Sequence, residues 1–333
     1  PVQLQPRGRA HAVRAIRLTA GIAAVLTYAL IVLGAVVRTT NSGLSCPDWP
    51  TCYGHWVPLP SDLAAIPNLG YTYTQVMLEW VHRLIAGVFL GPLVLVLAGI
   101  TVWWRRRAPH LALLGVVLLV LLLVQGALGG ITVLDRNSPW SVALHLGNAL
   151  LVLTVTLRIY VLAGGSPALS GETRGIGVLA ALAWVMALLA MMSAAMTAKS
   201  GASLACATWP LCNGAVVPDL SDGGVRIHFA HRVLAAGTAL ALLALLVRTW
   251  QARSLPAGVR RLAAMAASLV VVQVGFGALV ILLEVPVWKA VLHQATGVLT
   301  FAVVTLLMWR CLPQGRGRKP ALGGSDGLAL RGA

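Results

Sequence analysis

The sequence predicts an all-α polytopic membrane protein with eight transmembrane helices arranged as two pseudo-symmetric four-helix bundles. Three observations predict it: long apolar blocks, loops that alternate in charge, and an internal repeat. Apolar residues make up 58% of the 333 and charged residues 10%, against about 25% charged in a globular chain. Mean hydropathy is +0.85. Apolar runs such as 111–133 and 178–198 are long enough to cross a bilayer. A soluble protein, a disordered chain and a secreted disulfide scaffold are thereby excluded. The formal charge of +16 does not mark a nucleic-acid partner, because the basic residues stand in short clusters between apolar blocks. The positive-inside rule accounts for them.

The spans fall at 18–38, 76–104, 110–133, 140–163, 175–198, 226–249, 259–283 and 287–310. Arg7, Arg9, Arg14 and Arg17 precede the first, and Arg105, Arg106 and Arg107 join the second to the third. Arg248, Arg253, Arg260 and Arg261 join the sixth to the seventh, and Arg310, Arg316, Arg318 and Lys319 follow the eighth. The alternate loops are poor in positive charge, and the stretch 39–75 has no Lys or Arg. Both termini are therefore expected in the cytoplasm of a cell whose plasma membrane the chain crosses repeatedly. The first span is too long for a cleaved leader and runs into Arg38 without a small-residue cleavage site. The expected organisation is a cytoplasmic tail at 1–17, an N-terminal half at 18–165, a C-terminal half at 175–311 and a disordered cytoplasmic tail at 312–333. Within the first tail, Pro1–His11 is read as disordered, as is Pro313–Ala333.

Cysteine placement agrees with that topology. Cys46 and Cys52 lie in the first outer loop and Cys206 and Cys212 in the third, each pair spaced C-x5-C. They face the oxidising side, where disulfides persist. Each bridge would close a small ring worth roughly 2–2.5 kcal/mol on the loop-entropy account. A four-cysteine metal site is the rival, disfavoured because no histidine cluster accompanies the cysteines. Cys311 stands alone at the cytoplasmic end, where it should stay reduced.

The loops are copies of one another. Residues 44–58 and 204–218 share Leu, Cys, Trp, Pro, Cys, Gly, Val and Pro at an offset of 160. His82-Arg83 matches His231-Arg232 at 149, and Gln125, Gly129 and His145 match Gln273, Gly277 and His293 at 148. The offset falls by 160 − 149 = 11, so the first outer loop is the longer by about that many residues. Four spans return the chain to the same side, so the duplicated halves lie parallel.

His82, His145, His231 and His293 fall five to seven residues inside the outer ends of spans two, four, six and eight. At 1.5 Å per residue they form one layer roughly 8–11 Å deep. A lone membrane histidine most often bonds a neighbouring carbonyl, but two duplicated pairs at matched depth need a shared reason. Paired imidazoles from two helices of a bundle can hold a haem iron by both axial positions. Gly126, Gly129, Gly147, Gly275, Gly277 and Gly297 either leave room for a flat macrocycle or simply pack helices closely. Arg83 and Arg232 either meet haem propionates or snorkel to the interface. Zinc and di-iron centres are disfavoured by the scarcity of carboxylates.

The halves differ at one position. Glu79, three residues before His82, corresponds to His228 before His231. That spacing puts both members of each motif on one helical face, and an intramembrane acid is a functional candidate by default. His228 is nearer the surface, as a second ligand, a propionate partner or a residue without chemical duty, the last two being preferred.

Over residues 15–310 these features together resemble the haem A synthase family, membrane enzymes that convert haem O to haem A for cytochrome oxidase. The resemblance implies that His82 and His145 ligate the substrate haem O, that His231 and His293 ligate a haem b cofactor, and that Glu79 is the catalytic carboxylate. It implies oxidation of the C8 methyl of haem O by two successive hydroxylations, the gem-diol then losing water to give a formyl group. It also links the first cysteine pair to haem handling. The farnesylating haem O synthase, the cytochrome oxidase assembly machinery and an electron-transfer protein of unknown identity are the partners to expect. A di-haem electron-transfer cytochrome and a haem carrier are the rival functions.

Overall fold

The computed structural model describes residues 6–106, 108–164, 171–252, 255–284 and 287–312. Among them eight helices are long and apolar enough to cross a membrane: α1 (His11–Thr39), α2 (Tyr73–Arg106), α3 (Pro109–Leu134), α4 (Pro139–Ala163), α5 (Thr173–Lys199), α6 (Gly223–Gln251), α7 (Ala257–Leu282) and α8 (Val287–Cys311). The protein is a multi-pass helical membrane protein, as the apolar blocks predict.

The starts of several helices follow from capping chemistry. Thr72 caps α2, its hydroxyl accepting from Gln75 N while Gln75 Oε1 accepts from Thr72 N, a reciprocal capping box. Ser138 caps α4 and Asp222 caps α6. Pro109 and Pro139 stand in the first turns of α3 and α4, where a missing N–H costs nothing. At the other end of the chain's first helix the expectation of a disordered Pro1–His11 needs correction. The helix that becomes α1 already begins at Pro6. Hydropathy marks where lipid begins, whereas helix runs on through good formers until a breaker stops it. The expected tail beyond Pro313 lies outside the described residues.

Three buried clusters define the packing. Ile16, Ala20 and Ala23 of α1 pack with Leu90, Val94 and Leu97 of α2, Leu118 of α3 and Val152 and Ile159 of α4. Ala180 and Ala183 of α5 pack likewise with Leu242 and Leu245 of α6, Ala263 and Ala266 of α7 and Val304 and Leu307 of α8. Between them lies a seam, where Ala24 and Ile31 of α1, Leu150 and Leu153 of α4, Ala187 and Met191 of α5 and Val298 and Phe301 of α8 meet. Each cluster draws on four helices, and the first and last helices of each half make the seam.

One irregularity separates the halves. In α2 the segment Ile85–Leu90 is π-helical, immediately after His82 and Arg83, and Gly91 N donates to Ala86 O across the widened turn. Pro92 follows, and a proline lacks the N–H that the regular ladder needs. The equivalent of Pro92 at the 149 offset is Ala241, and α6 runs unbroken from Gly223 to Gln251. Such bulges are frequent at functional sites.

The two cysteine loops share a conformation. Cys46–Cys52 and Cys206–Cys212 form disulfides, each within its own loop. Cys52 pairs with His55 by a short antiparallel bridge and Cys212 with Ala215 by the same one. Cys311 is free and buried. The loop between α1 and α2 spans 40–72 and that between α5 and α6 spans 200–222, or 33 against 23 residues. The extra length follows the bridged segment and includes the short helix Pro60–Ala64.

Candidate functional site

On the side of the membrane that carries the cysteine loops, His82, His145, His231 and His293 stand 9, 6, 8 and 6 residues beyond the first residues of α2, α4, α6 and α8. They form one layer roughly 9–14 Å deep, slightly deeper than the sequence alone indicates because α2 and α6 begin earlier. Within each half the two histidines are near one another: His82 is in electrostatic range of His145, and His293 of His231.

The surroundings of the pairs differ. In the second half His231 Nδ1 lies 3.1 Å from Ala190 O and 3.1 Å from Ser193 Oγ, and His293 Nδ1 lies 3.2 Å from Gln273 O. A carbonyl only accepts, so Nδ1 carries the proton in both rings and Nε2 keeps its lone pair. This is the arrangement by which a second contact orients a metal-binding histidine. In the first half His82 Nδ1 is buried without a hydrogen-bond partner among the described residues. The Gln125 amide nitrogen lies 3.3 and 3.2 Å from the two ring nitrogens of His145, and Gln125 Oε1 is held by Asn148 Nδ2 at 2.7 Å. At the position matching Asn148 the second half has Thr296, and Gln273 Oε1 is buried without a hydrogen-bond partner among the described residues.

Glycines line the histidines. A Cβ added at Gly34, Gly129 or Gly277 would lie 3.3, 3.5 and 3.1 Å from Cε1 of His82, His145 and His293 respectively. Gly126 and Gly275 face open space. Gly147 and Gly297 instead admit the thioethers of Met192 and Met191, at 2.8 and 2.9 Å from an added Cβ. Some of the expected glycines thus make room near the ring nitrogens, and others pack α5 against the helices bearing His145 and His293. These features fit a porphyrin: paired imidazoles, free Nε2 lone pairs, an orphaned buried nitrogen and glycine cradles.

Glu79 is 4% exposed. Its Oε2 accepts from Cys46 N at 2.9 Å and Ser45 Oγ at 3.1 Å, and its Oε1 forms a 2.6 Å ion pair with Arg83 Nη2. Arg83 also donates to the carbonyls of Asp48, Thr51 and Cys46. The second half repeats this clasp with an imidazole. His228 Nδ1 accepts from Cys206 N at 3.2 Å, Arg232 Nε lies 3.2 Å from His228 Nε2, which carries the ring proton when Nδ1 accepts, and Arg232 donates to the carbonyls of Thr208, Leu211 and Cys206. Position 79/228 therefore belongs to the shared architecture, which the sequence comparison does not reveal. His228 has a structural duty, and four N–H groups of Arg83 are committed to the loop and Glu79, which leaves Nε for any propionate.

Within the loops Asp48 makes a further brace. Burial opposes its ionisation, but the Thr51 hydroxyl and the N–H groups of Gly54 and Tyr53 outweigh that and hold its carboxyl below the usual range. Thr208 takes its place in the second loop, accepting from Gly214 N at 3.0 Å. Sequence reasoning missed Ser193, Gly34 and Asn148. A polar residue inside an apolar run is the only signal that Ser193 and Asn148 give.

Fold and site together define a duplicated helical membrane protein with one histidine pair per half beneath a clasped disulfide loop. Residues 17–305 match the family described as COX15-CtaA, cytochrome oxidase assembly protein, and the chain belongs to that family. It is 33% identical to the heme A synthase of Symbiobacterium thermophilum, over 86% of this chain and 92% of that one. It is 29% identical to the heme A synthase of Shewanella oneidensis, over 86% and 95%, and 31% identical to that of a Methylobacterium species, over 87% and 90%.

Proposed function

We propose that this chain is a haem A synthase, oxidising the C8 methyl of haem O to a formyl group for cytochrome oxidase. The observation that carries the reading is the asymmetry of the histidine pairs. His231 and His293 are oriented through Nδ1 and offer Nε2, as suits a resident haem b. His82 lacks such a contact and His145 meets only the Gln125 amide nitrogen, as suits a substrate that must enter and leave, and a buried carboxylate stands one turn from His82.

In this reading each hydroxylation replaces a C–H bond of the methyl by C–O, a two-electron oxidation: with water as the oxygen source two protons and two electrons leave, and with dioxygen two protons and two electrons enter and water forms. The second hydroxylation gives a gem-diol that loses water. Bound haem supplies the electron chemistry. The chain's residues bind, orient and manage protons. His82 and His145 hold the substrate iron, and the apolar walls of α1 to α4 accept its lipid tail. Glu79, paired with Arg83, is the group able to take a proton from a hydroxyl or balance positive charge near the reacting carbon. Handover of so hydrophobic a haem favours contact with the farnesylating haem O synthase and with the oxidase assembly machinery, while a separate electron-transfer protein exchanges electrons with the site. Both termini lie in the cytoplasm and the cysteine loops face outward across the plasma membrane.

Haem extraction tests the proposal. Membranes containing the chain and a source of haem O should yield haem A and hydroxylated haem O. Unmodified haems alone would overturn it in favour of a di-haem cytochrome or a carrier.

A further inference from the structure

The cysteine-loop side is poor in positive charge, yet two cations there are withdrawn from full exposure with no anion beside them among the described residues. Arg136 and Arg226 are exposed, Arg83 and Arg232 are committed to their loops, and Lys289 Nζ rests 4.9 Å from the centroid of the Trp288 ring. Arg38 and Lys199 remain. Arg38 lies in the last turn of α1 and Lys199 closes α5, one from each half, and neither is exposed. Among the described residues neither forms an ion pair, although they are close enough for their charges to interact.

Arg38 reaches across the seam. Its Nη2 donates to Gln294 Oε1 at 3.1 Å, and Gln294 Nε2 returns to Ile31 O at 3.4 Å. Gln294 directly follows His293. On its own helix Arg38 stands one turn, about 6 Å, beyond Gly34, the residue that faces His82. It thus lies just outside the histidine layer, and His293 is within its electrostatic range. Two like charges held near one another and partly withdrawn from water repel unless an anion lies between or beside them.

We propose that Arg38 and Lys199 form a seat at the seam for a carboxylate of the porphyrin held by His231 and His293. The seat rests on the haem assignment made under the proposed function. The only charged peripheral groups of such a porphyrin are its propionates, gathered on one edge, and a guanidinium with an adjacent ammonium is a suitable receptor for one. Because Arg38 belongs to the first half and its ligand to the second, occupancy of the second site would brace α1 against α8.

The test titrates haem-free full-length protein in detergent with haem b and with haem b dimethyl ester, following the Soret band. The unmodified protein should bind haem b roughly ten- to a hundredfold more tightly than the ester, the range expected for one charge-assisted contact. Arg38→Gln and Lys199→Gln should lose that preference while binding the ester as the unmodified protein does, and Arg38→Lys should recover part of it. The midpoint potential of the bound haem should fall in both Gln variants. Equal weakening of both haems in the variants would make Arg38 a general seam support and overturn the seat, as would an unmodified protein that does not distinguish acid from ester. His293→Ala tests the underlying assignment separately: it should abolish binding of both haems, and retention of both would sink the haem assignment and with it the seat.

Discussion

The two halves carry the same clasp and different histidine environments. In each, an arginine one residue beyond the histidine gathers the carbonyls of a disulfide loop, and the residue three before that histidine accepts the N–H of the loop's first cysteine. An imidazole suffices for that acceptance in the second half, as His228 shows. The first half uses a carboxylate, a buried charge that is tolerable only because Arg83 pairs with it. The clasp therefore does not explain the charge of Glu79. The same contrast recurs at the histidine pairs, where Nδ1 contacts orient His231 and His293 but not His82. Duplication preserves the frame, and the differences sit where chemistry would need them.

The largest expected effect separates the two histidine pairs. His231→Ala or His293→Ala should leave purified protein without a stable low-spin haem b spectrum, whereas His82→Ala or His145→Ala should keep that spectrum and lose haem A formation. Full spectra in both second-half variants would show that the ligands have been misassigned.

Exchanging the clasp residue comes next. Glu79→His copies the second half, retaining an acceptor for Cys46 N and a contact for Arg83 while removing the carboxylate. Haem b should stay bound, and haem A formation should fall by about 10²–10⁴-fold, the usual contribution of acid–base groups, with haem O or its hydroxylated form accumulating. Near-normal haem A in Glu79→His would reduce Glu79 to an architectural part. Glu79→Gln should be harsher on the loop, since its amide offers a single acceptor oxygen, and two N–H donors, where Cys46 N, Ser45 Oγ and Arg83 Nη2 all donate.

A smaller effect is expected from the bridges. Cys206→Ser removes a ring worth roughly 2–2.5 kcal/mol on the loop-entropy account and should lower thermal stability without changing which haem is bound. Cys46→Ser should do the same and also loosen the loop that Glu79 and Arg83 hold, reducing haem A formation further. Spectral and activity losses of equal size in the two variants would remove the distinction between the loops.

The smallest effect is one of pH. The Asp48 carboxyl is held below its ordinary range, so its brace is fully present above the unfolded value, about 4, and is lost as pH falls through the depressed folded value. Protection of the Tyr53 and Gly54 amides against hydrogen exchange should decline on acidification below about pH 4. That of Gly214, held by Thr208, should not. Parallel profiles would mean that Asp48 does not brace the first loop.

Much of this protein follows from local pattern. Span length and apolarity determine eight crossings because lipid offers the backbone no hydrogen bonds. The repeat at offsets 160, 149 and 148 determines two equivalent halves, and C-x5-C pairs on one side determine disulfides within each loop. Pro92 already marks the place where α2 departs from α6. Histidine spacing determines a common layer, since depth along a helix is linear in residue number.

What only the tertiary structure decided is which polar atoms meet across helices. That Glu79 and His228 perform the same clasp, that Ser193 and the Ala190 carbonyl orient His231, and that Arg38 of the first half reaches Gln294 of the second are contacts between residues 22 to 256 positions apart. No periodicity encodes them. They depend on how each helix is rotated about its axis when α1, α4, α5 and α8 close the seam, and that rotation is set by the packing of many small contacts at once rather than by any single segment.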